Sequence, residues 1–119
     1  MSLVHDLQID TACPDTRALV EHVTSKWGVL VLVALSDGPQ RWSELRRRAE
    51  GISEKMLAQT LRTLEADGLV HRDAQPVIPP RVDYSLTDRG TELVTLLLPL
   101  FGWVVANADA IVGERAATA

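Results

Sequence analysis

Three polar side chains recur at helical spacing in the middle of this chain of 119 residues. They are Lys55, Gln59 and Arg62. Ammonium and guanidinium groups donate hydrogen bonds to guanine edges and to phosphates, and a glutamine amide matches the donor and acceptor of adenine. Apolar residues repeat with the same spacing two positions further along, at Leu57, Leu61 and Leu64. One helix is therefore predicted to pack with one face and to offer two cations and an amide on the other.

Ser53 is placed to cap this helix, because its hydroxyl can accept a hydrogen bond from the first free backbone N–H groups. The helix is predicted over residues 54–66, and it ends at Asp67-Gly68, where glycine suits a left-handed cap. Ser53 and the free N–H groups at the helix start could also hold a phosphate.

The single cysteine, Cys13, is the other side chain with reactive chemistry. It cannot form an intrachain disulfide, so any disulfide must join it to another molecule. It precedes a predicted helix start, where the helix dipole lowers a thiol pKa, whereas the nearby Asp10 and Asp15 would raise it. Both interpretations stay open, a reactive thiol and an inert packing residue.

Metal and enzyme chemistry find little support in the chain. The histidines, His5, His22 and His71, lie far apart and have no cysteine partners, so no metal site is predicted. No nucleophile has a nearby base, and no phosphate-binding loop is present. The sequence indicates a protein that is not an enzyme and needs no cofactor.

Helices and a hairpin surround the polar face. A first helix is predicted over residues 15–24, with Asp15 as its cap and Leu19, Val20 and Val23 as its apolar face. Residues 27–35 are apolar at nearly every position; periodicity allows a strand, but the absence of a nearby partner strand favours a short buried helix. Residues 42–49 form a further short helix, with Leu45 inward and Arg46, Arg47 and Arg48 towards solvent.

Residues 69–73 and 82–86 alternate and are joined by a proline-rich loop, which predicts a β-hairpin. Thr87 or Asp88 caps a last helix over residues 88–112, and Pro99 should bend or break it. This helix is apolar on nearly all sides, so it needs more cover than one small domain supplies, and we infer a partner subunit. The predicted fold is mostly α with a small β-hairpin wing, in one domain over residues 1–119.

Charge is distributed unevenly along the chain. The net charge is −4, yet residues 38–72 carry +2 while the segments before and after them each carry −3. Such a chain repels DNA everywhere except at its middle, which favours one docking orientation. No basic leader opens the chain, and the apolar stretch over residues 93–105 falls short of the roughly 18 residues that suggest a membrane span. A cytoplasmic protein is expected.

The chain also carries a series of short motifs in a characteristic order. They are Cys13-Pro14, Lys26-Trp27, Asp37-Gly38-Pro39, Trp42-Ser43-Glu44-Leu45-Arg46, Gly51-Ile52-Ser53-Glu54-Lys55-Met56-Leu57, Leu64-Glu65-Ala66-Asp67-Gly68-Leu69-Val70 and Pro80-Arg81-Val82-Asp83-Tyr84-Ser85-Leu86-Thr87. In this order, over residues 13–90, the chain resembles the HxlR-type winged-helix regulators of bacteria, which are MarR-like. It departs slightly, with Asp83 where Glu is commoner and Trp42 where Phe is commoner.

The resemblance implies a winged helix-turn-helix homodimer on inverted-repeat operators, with terminal helices as the dimer interface. It places Ser53, Lys55, Met56, Gln59, Thr60 and Arg62 on the recognition helix and Arg81 on the wing. To these we add Arg46 as a phosphate contact, although a run of arginines is usually a solvated face. In part of the family the cysteine before the proline is a thiol sensor, which makes Cys13 a candidate sensor and a small molecule or an electrophile a candidate effector.

One alternative function remains open. A winged-helix module that binds protein rather than DNA would fit the net negative charge. Such a module would carry apolar residues where Lys55, Gln59 and Arg62 stand, so the polar face favours double-stranded DNA as the partner.

Overall fold

The computed structural model describes residues 13–118. Five α-helices and three strands occur in this part of the chain. Their bounds are α1 Pro14–Thr24, α2 Lys26–Ala34, β1 Gln40–Arg41, α3 Trp42–Arg48, α4 Glu54–Ala66, β2 Val70–Gln75, β3 Arg81–Leu86 and α5 Asp88–Thr118, with a 3-10 turn Leu35–Asp37 after α2. The order is helix-turn-helix followed by a hairpin, which confirms the predicted mostly α fold with a β wing.

The core lies between α2, α3, α4 and the start of α5. Leu32, Leu45 and Leu57 are fully buried in it. Leu61 and Leu64 complete the inner face of α4 at 3% and 1% exposure. The spacing of these leucines predicted the buried face of α4 correctly, because residues four and seven apart lie on the same side of a helix.

α1 differs from its prediction at its start and along its face. Its N-cap is Cys13, and Pro14 occupies the first turn, so Asp15 lies inside the helix and is not its cap. Proline suits this place because the N–H it lacks would have no partner in the helix. Leu19 and Val20 are 46% and 49% exposed, and only Val23 of the predicted apolar face packs against the core.

A third strand joins the hairpin and was not predicted. β1 pairs antiparallel with β3, with Gln40 opposite Tyr84 and Arg41 opposite Asp83, so the sheet order is β1-β3-β2. A strand of two residues is too short to show an alternating pattern. β1 joins the base of the wing directly to the start of α3.

α5 is one continuous helix of 31 residues that includes Pro99. Of the two outcomes predicted for this proline, the break does not occur, and the helix passes the predicted end at residue 112. Thr87 is its cap, because Thr87 Oγ1 accepts a hydrogen bond of 3.0 Å from the N–H of Gly90. Gly90 cannot be larger: a Cβ at this position would lie 2.1 Å from the carbonyl oxygen of Leu69.

The apolar surface of α5 is larger than the sequence suggested. Its most apolar window has a mean hydropathy of 1.7 and is only 6% buried, so length and composition would allow this helix to cross a membrane. The prediction that the apolar stretch over residues 93–105 is too short for a membrane span therefore does not extend to the whole of α5. The segments Pro14–Thr24 and Lys26–Asp37 meet at a bend of 62°. They are long and apolar enough to cross a membrane only if the two are counted together as one span. Among the described residues 13–118, nothing covers most of this apolar surface of α5.

Candidate DNA-binding surface

α4 begins with the side-chain cap that the sequence predicts. Ser53 Oγ accepts a hydrogen bond of 3.0 Å from the N–H of Met56. This bond satisfies one of the first backbone donors and fixes the direction in which α4 leaves the turn. The residues that follow Ser53 in the first turn, Glu54, Lys55 and Met56, are all exposed.

The outer face of α4 carries most of the predicted contact residues. Lys55, Gln59 and Arg62 are exposed, and Met56 is 38% exposed. Thr60 differs, since it is only 9% exposed and lies on the inner side next to Leu61. Its side chain is withdrawn from the surface, so we leave Thr60 out of the proposed contact set.

The three arginines at the end of α3 do not share one environment. Arg46 Nη1 lies 3.1 Å from Glu54 Oε1, across the turn between α3 and α4. Arg48 is tied to the end of α2, because it pairs with Asp37 and donates a hydrogen bond of 2.9 Å to the carbonyl oxygen of Ala34. Arg47 is exposed. Arg46 is therefore the arginine of this run that is joined to α4.

Arg81 begins β3 and pairs with Gln75, at the end of the hairpin next to its loop. Its Nε donates to both carboxylate oxygens of Asp83, at 3.3 and 3.2 Å. Asp83 also accepts a hydrogen bond of 3.0 Å from Gln75 Nε2. Asp83, the residue that departs from the commoner Glu, thus orients the Arg81 side chain, which keeps 45% exposure.

Cys13 is partly exposed at the N-cap of α1. Thr16 Oγ1 donates a hydrogen bond of 3.4 Å to its sulfur. This bond and the backbone N–H of Thr16 lower the pKa of the Cys13 thiol, since both stabilise the thiolate. Thr16 was not among the predicted partners of Cys13, although a hydroxyl three positions after a helix cap is close enough to reach the cap residue. Asp10, expected to oppose this shift, lies outside the described residues.

A contact joins α1, the helix that Cys13 caps, to α4. His22 Nδ1 near the end of α1 lies 2.8 Å from Asp67 Oδ2, and Asp67 is the C-cap of α4. The two side chains are 34% and 18% exposed. The predicted absence of a zinc role remains a prediction: the described residues include no group of three or more potential metal ligands, and His5 lies outside them.

Comparison with known proteins identifies similar chains along most of this length. Residues 22–111 match the family model described as HxlR-like helix-turn-helix. The HTH-type transcriptional regulator YtfH of Escherichia coli K12 is 49% identical over 103 residues, which cover 87% of this chain and 81% of YtfH.

Solved structures show the same fold. YtfH from Salmonella typhimurium aligns with a TM-score of 0.82 and 47% identity, over 90% of this chain and 95% of that one. The oxidised form of the redox regulator HypR aligns with a TM-score of 0.73 and 37% identity, over 80% of this chain and 97% of that one.

Proposed function

The chain belongs to the HxlR-like helix-turn-helix family of transcriptional regulators, and on this premise we propose that it binds an inverted-repeat operator as a homodimer. The observation that carries the proposal is the division of α4 into two faces. One face is buried by Leu57, Leu61 and Leu64, and the other exposes Lys55, Gln59 and Arg62. A helix anchored in this way can enter the major groove without disturbing the core.

The contacts fall into two kinds. Lys55, Gln59 and Arg62 contact base edges or phosphates along α4. Ser53 and Met56, at the start of α4, lie beside the same major groove. Arg81 reaches a phosphate or the minor groove from the wing, and Arg46 a phosphate beside the turn. Phosphate contacts set the docking orientation, and base contacts give the sequence preference.

The exposed apolar surface of α5 supports the homodimer. Leu96, Leu100 and Trp103 recur at helical spacing and are 70%, 57% and 59% exposed. Their burial against a second copy would remove a large apolar surface from water, with a two-fold axis relating the two subunits. A two-fold symmetric dimer presents two copies of α4 and therefore fits an inverted repeat. We assign this surface to a subunit interface, and place the regulator in the cytoplasm with its DNA.

Salt dependence separates DNA binding from the alternative of a protein-binding module. We expect the protein to bind random duplex DNA at low salt, with an affinity that falls steeply as salt rises, because each neutralised phosphate releases counterions. Fluorescence anisotropy across a salt series measures this. Selection from a random pool should then enrich an inverted repeat. Absence of binding at any salt concentration would favour the protein-binding module.

Cys13 is proposed as a thiol sensor. Its partly exposed sulfur and lowered pKa give more thiolate at neutral pH than an ordinary thiol has, and the thiolate is the reactive form. Diamide would oxidise two such thiols to an intermolecular disulfide and would itself take up two electrons and two protons. Strain on α1 would reach α4 through the contact between His22 and Asp67.

Replacing Thr16 by valine should slow the reaction of Cys13 at neutral pH. The substitution removes the hydroxyl that stabilises the thiolate, so the thiol pKa should rise and the rate of alkylation by iodoacetamide should reach its midpoint at higher pH. The measurement is the alkylation rate from pH 5 to 10. A profile identical to that of the wild type would show that Thr16 does not activate Cys13.

The effect of the thiol on DNA binding needs its own comparison. Diamide or a quinone should change operator affinity in the wild type and leave the Cys13→Ser variant unchanged. Unaltered affinity with Cys13 fully modified would rule out the sensor and leave the DNA-binding proposal intact.

A further inference from the structure

Glu54 is an acidic residue at the place where the recognition helix meets DNA. It is the first residue of α4, and its side chain is 70% exposed. Residues in the first turn of a recognition helix contact base edges in the major groove. A carboxylate here can only accept hydrogen bonds and is repelled by phosphates, so it lowers affinity for DNA in general.

The base edges of the major groove offer such a carboxylate one suitable partner. Cytosine presents its N4 amino group as a donor, and glutamate and aspartate are the side chains that accept from it. Adenine also presents an amino group, but its N7 acceptor stands beside it and repels a carboxylate. A carboxylate that weakens binding to all DNA but strengthens it at a cytosine increases the difference in affinity between sites with that cytosine and sites without it.

Arg46 is the partner of Glu54 across the turn. Its Nη1 lies 3.1 Å from Glu54 Oε1, and the arginine side chain is 45% exposed. The pair offers both halves of the pattern that a C·G base pair displays, an acceptor for cytosine N4 and donors for guanine O6 and N7. Arg46 also offsets the negative charge of Glu54 as the protein approaches the phosphates.

We propose that Glu54 is a specificity-determining residue that selects a cytosine in each operator half-site, with Arg46 as its positioning partner. The proposal rests on the proposed DNA-binding function and deepens it. The simpler interpretation is an acid that stabilises the start of a helix through its dipole and forms a surface ion pair of small energy. That interpretation predicts no change in the bases selected when the charge is removed.

The test compares the bases selected from a random duplex pool by three proteins. The wild type should enrich a cytosine at one position of each half-site, and Glu54→Gln should reduce the preference at that position on the order of tenfold. The same variant should bind random duplex more tightly than the wild type, because one repulsive charge is gone. The control is Glu65→Gln, an exposed glutamate near the other end of the same helix, which should leave the selected motif unchanged.

The role of Arg46 is tested by the bases selected at the same position of the half-site. Arg46→Ala should weaken the cytosine preference in the wild-type background and add no further loss at that position in the Glu54→Gln background. Arg46→Ala should also lower affinity at every position if Arg46 touches a phosphate, so the positioning role is overturned if the cytosine preference itself is unchanged in this variant.

The outcomes separate this inference from the function on which it rests. If the wild type selects a motif and Glu54→Gln selects the same one, the inference fails while DNA binding stands. If Glu65→Gln loses the same preference, the effect is one of net charge and the inference also fails. If the wild type selects no motif, the proposed function fails first. Circular dichroism of each variant verifies that it folds.

Discussion

Replacing Lys55, Gln59 and Arg62 together by alanine is expected to weaken operator binding by at least a hundredfold. Each base or phosphate contact should be worth roughly 1–3 kcal/mol, and the variant loses three on each subunit. The core should be unaffected because all three side chains are exposed on the face of α4 opposite its leucines. Fluorescence anisotropy on a selected operator measures the loss.

The slope of affinity against salt tests the assignment in a second way. Removal of the two cations should reduce the slope of log affinity against log salt concentration by about two for each subunit if both touch phosphates. The reduction should be smaller if they touch bases. A control with the same loss of charge is Arg17→Ala with Arg89→Ala, since both arginines are exposed and lie outside α4. Affinity of the triple variant within about twofold of the wild type would show that this face does not read DNA.

Placing charge in the apolar stripe of α5 is expected to separate the subunits and to abolish high-affinity binding. We choose Leu96→Glu with Leu100→Glu, because both leucines are more than half exposed in the single chain and their replacement should leave its fold intact. A carboxylate buried in an apolar interface without a partner costs several kcal/mol. Operator affinity should fall by about a hundredfold or more, since each monomer holds one half-site alone.

Sedimentation velocity at micromolar concentration distinguishes the two states. Thr91→Glu with Thr95→Glu is the matched control, because these exposed residues are also four positions apart and lie on the side of α5 turned away from Leu96 and Leu100. The control should remain a dimer. If the Leu96 and Leu100 variant also sediments as a dimer, the interface lies elsewhere, and a monomeric wild type would remove the dimer from the proposal.

The proposed DNA-binding surface combines positive charge, which attracts phosphates, with negative charge, which lowers affinity for DNA in general. The chain is acidic overall, and residues 38–72, which include α3 and α4, have a positive charge balance. We therefore expect this region to attract the phosphates and Glu54 to offset part of the attraction. Low general affinity leaves more of the discrimination to base contacts, because non-specific DNA competes with the operator through phosphate contacts alone.

The amino-acid sequence by itself determined the polar and apolar faces of α4, its Ser53 cap and the strands of the wing. It also carried the motifs that identify the family. These features depend on residues within a few positions of one another, so helical spacing and turn-forming residues are enough to predict them. The type and order of the main elements followed from the same local rules.

Only the tertiary structure decided which side chains are available at the surface and which groups meet. It buried Thr60, added β1 to the wing and joined Arg46 to Glu54, while Arg48 turned to Asp37. It also kept α5 continuous through Pro99. The β1 pairing and the two arginine contacts depend on partners from separate elements, which helical or strand periodicity cannot identify. Thr60 is different, since it lies three positions after Leu57 and four before Leu64 and helical spacing alone puts it on the buried face. The proline shows the opposite case, in which a local rule disfavours a helix at one position and the helix nevertheless continues through it.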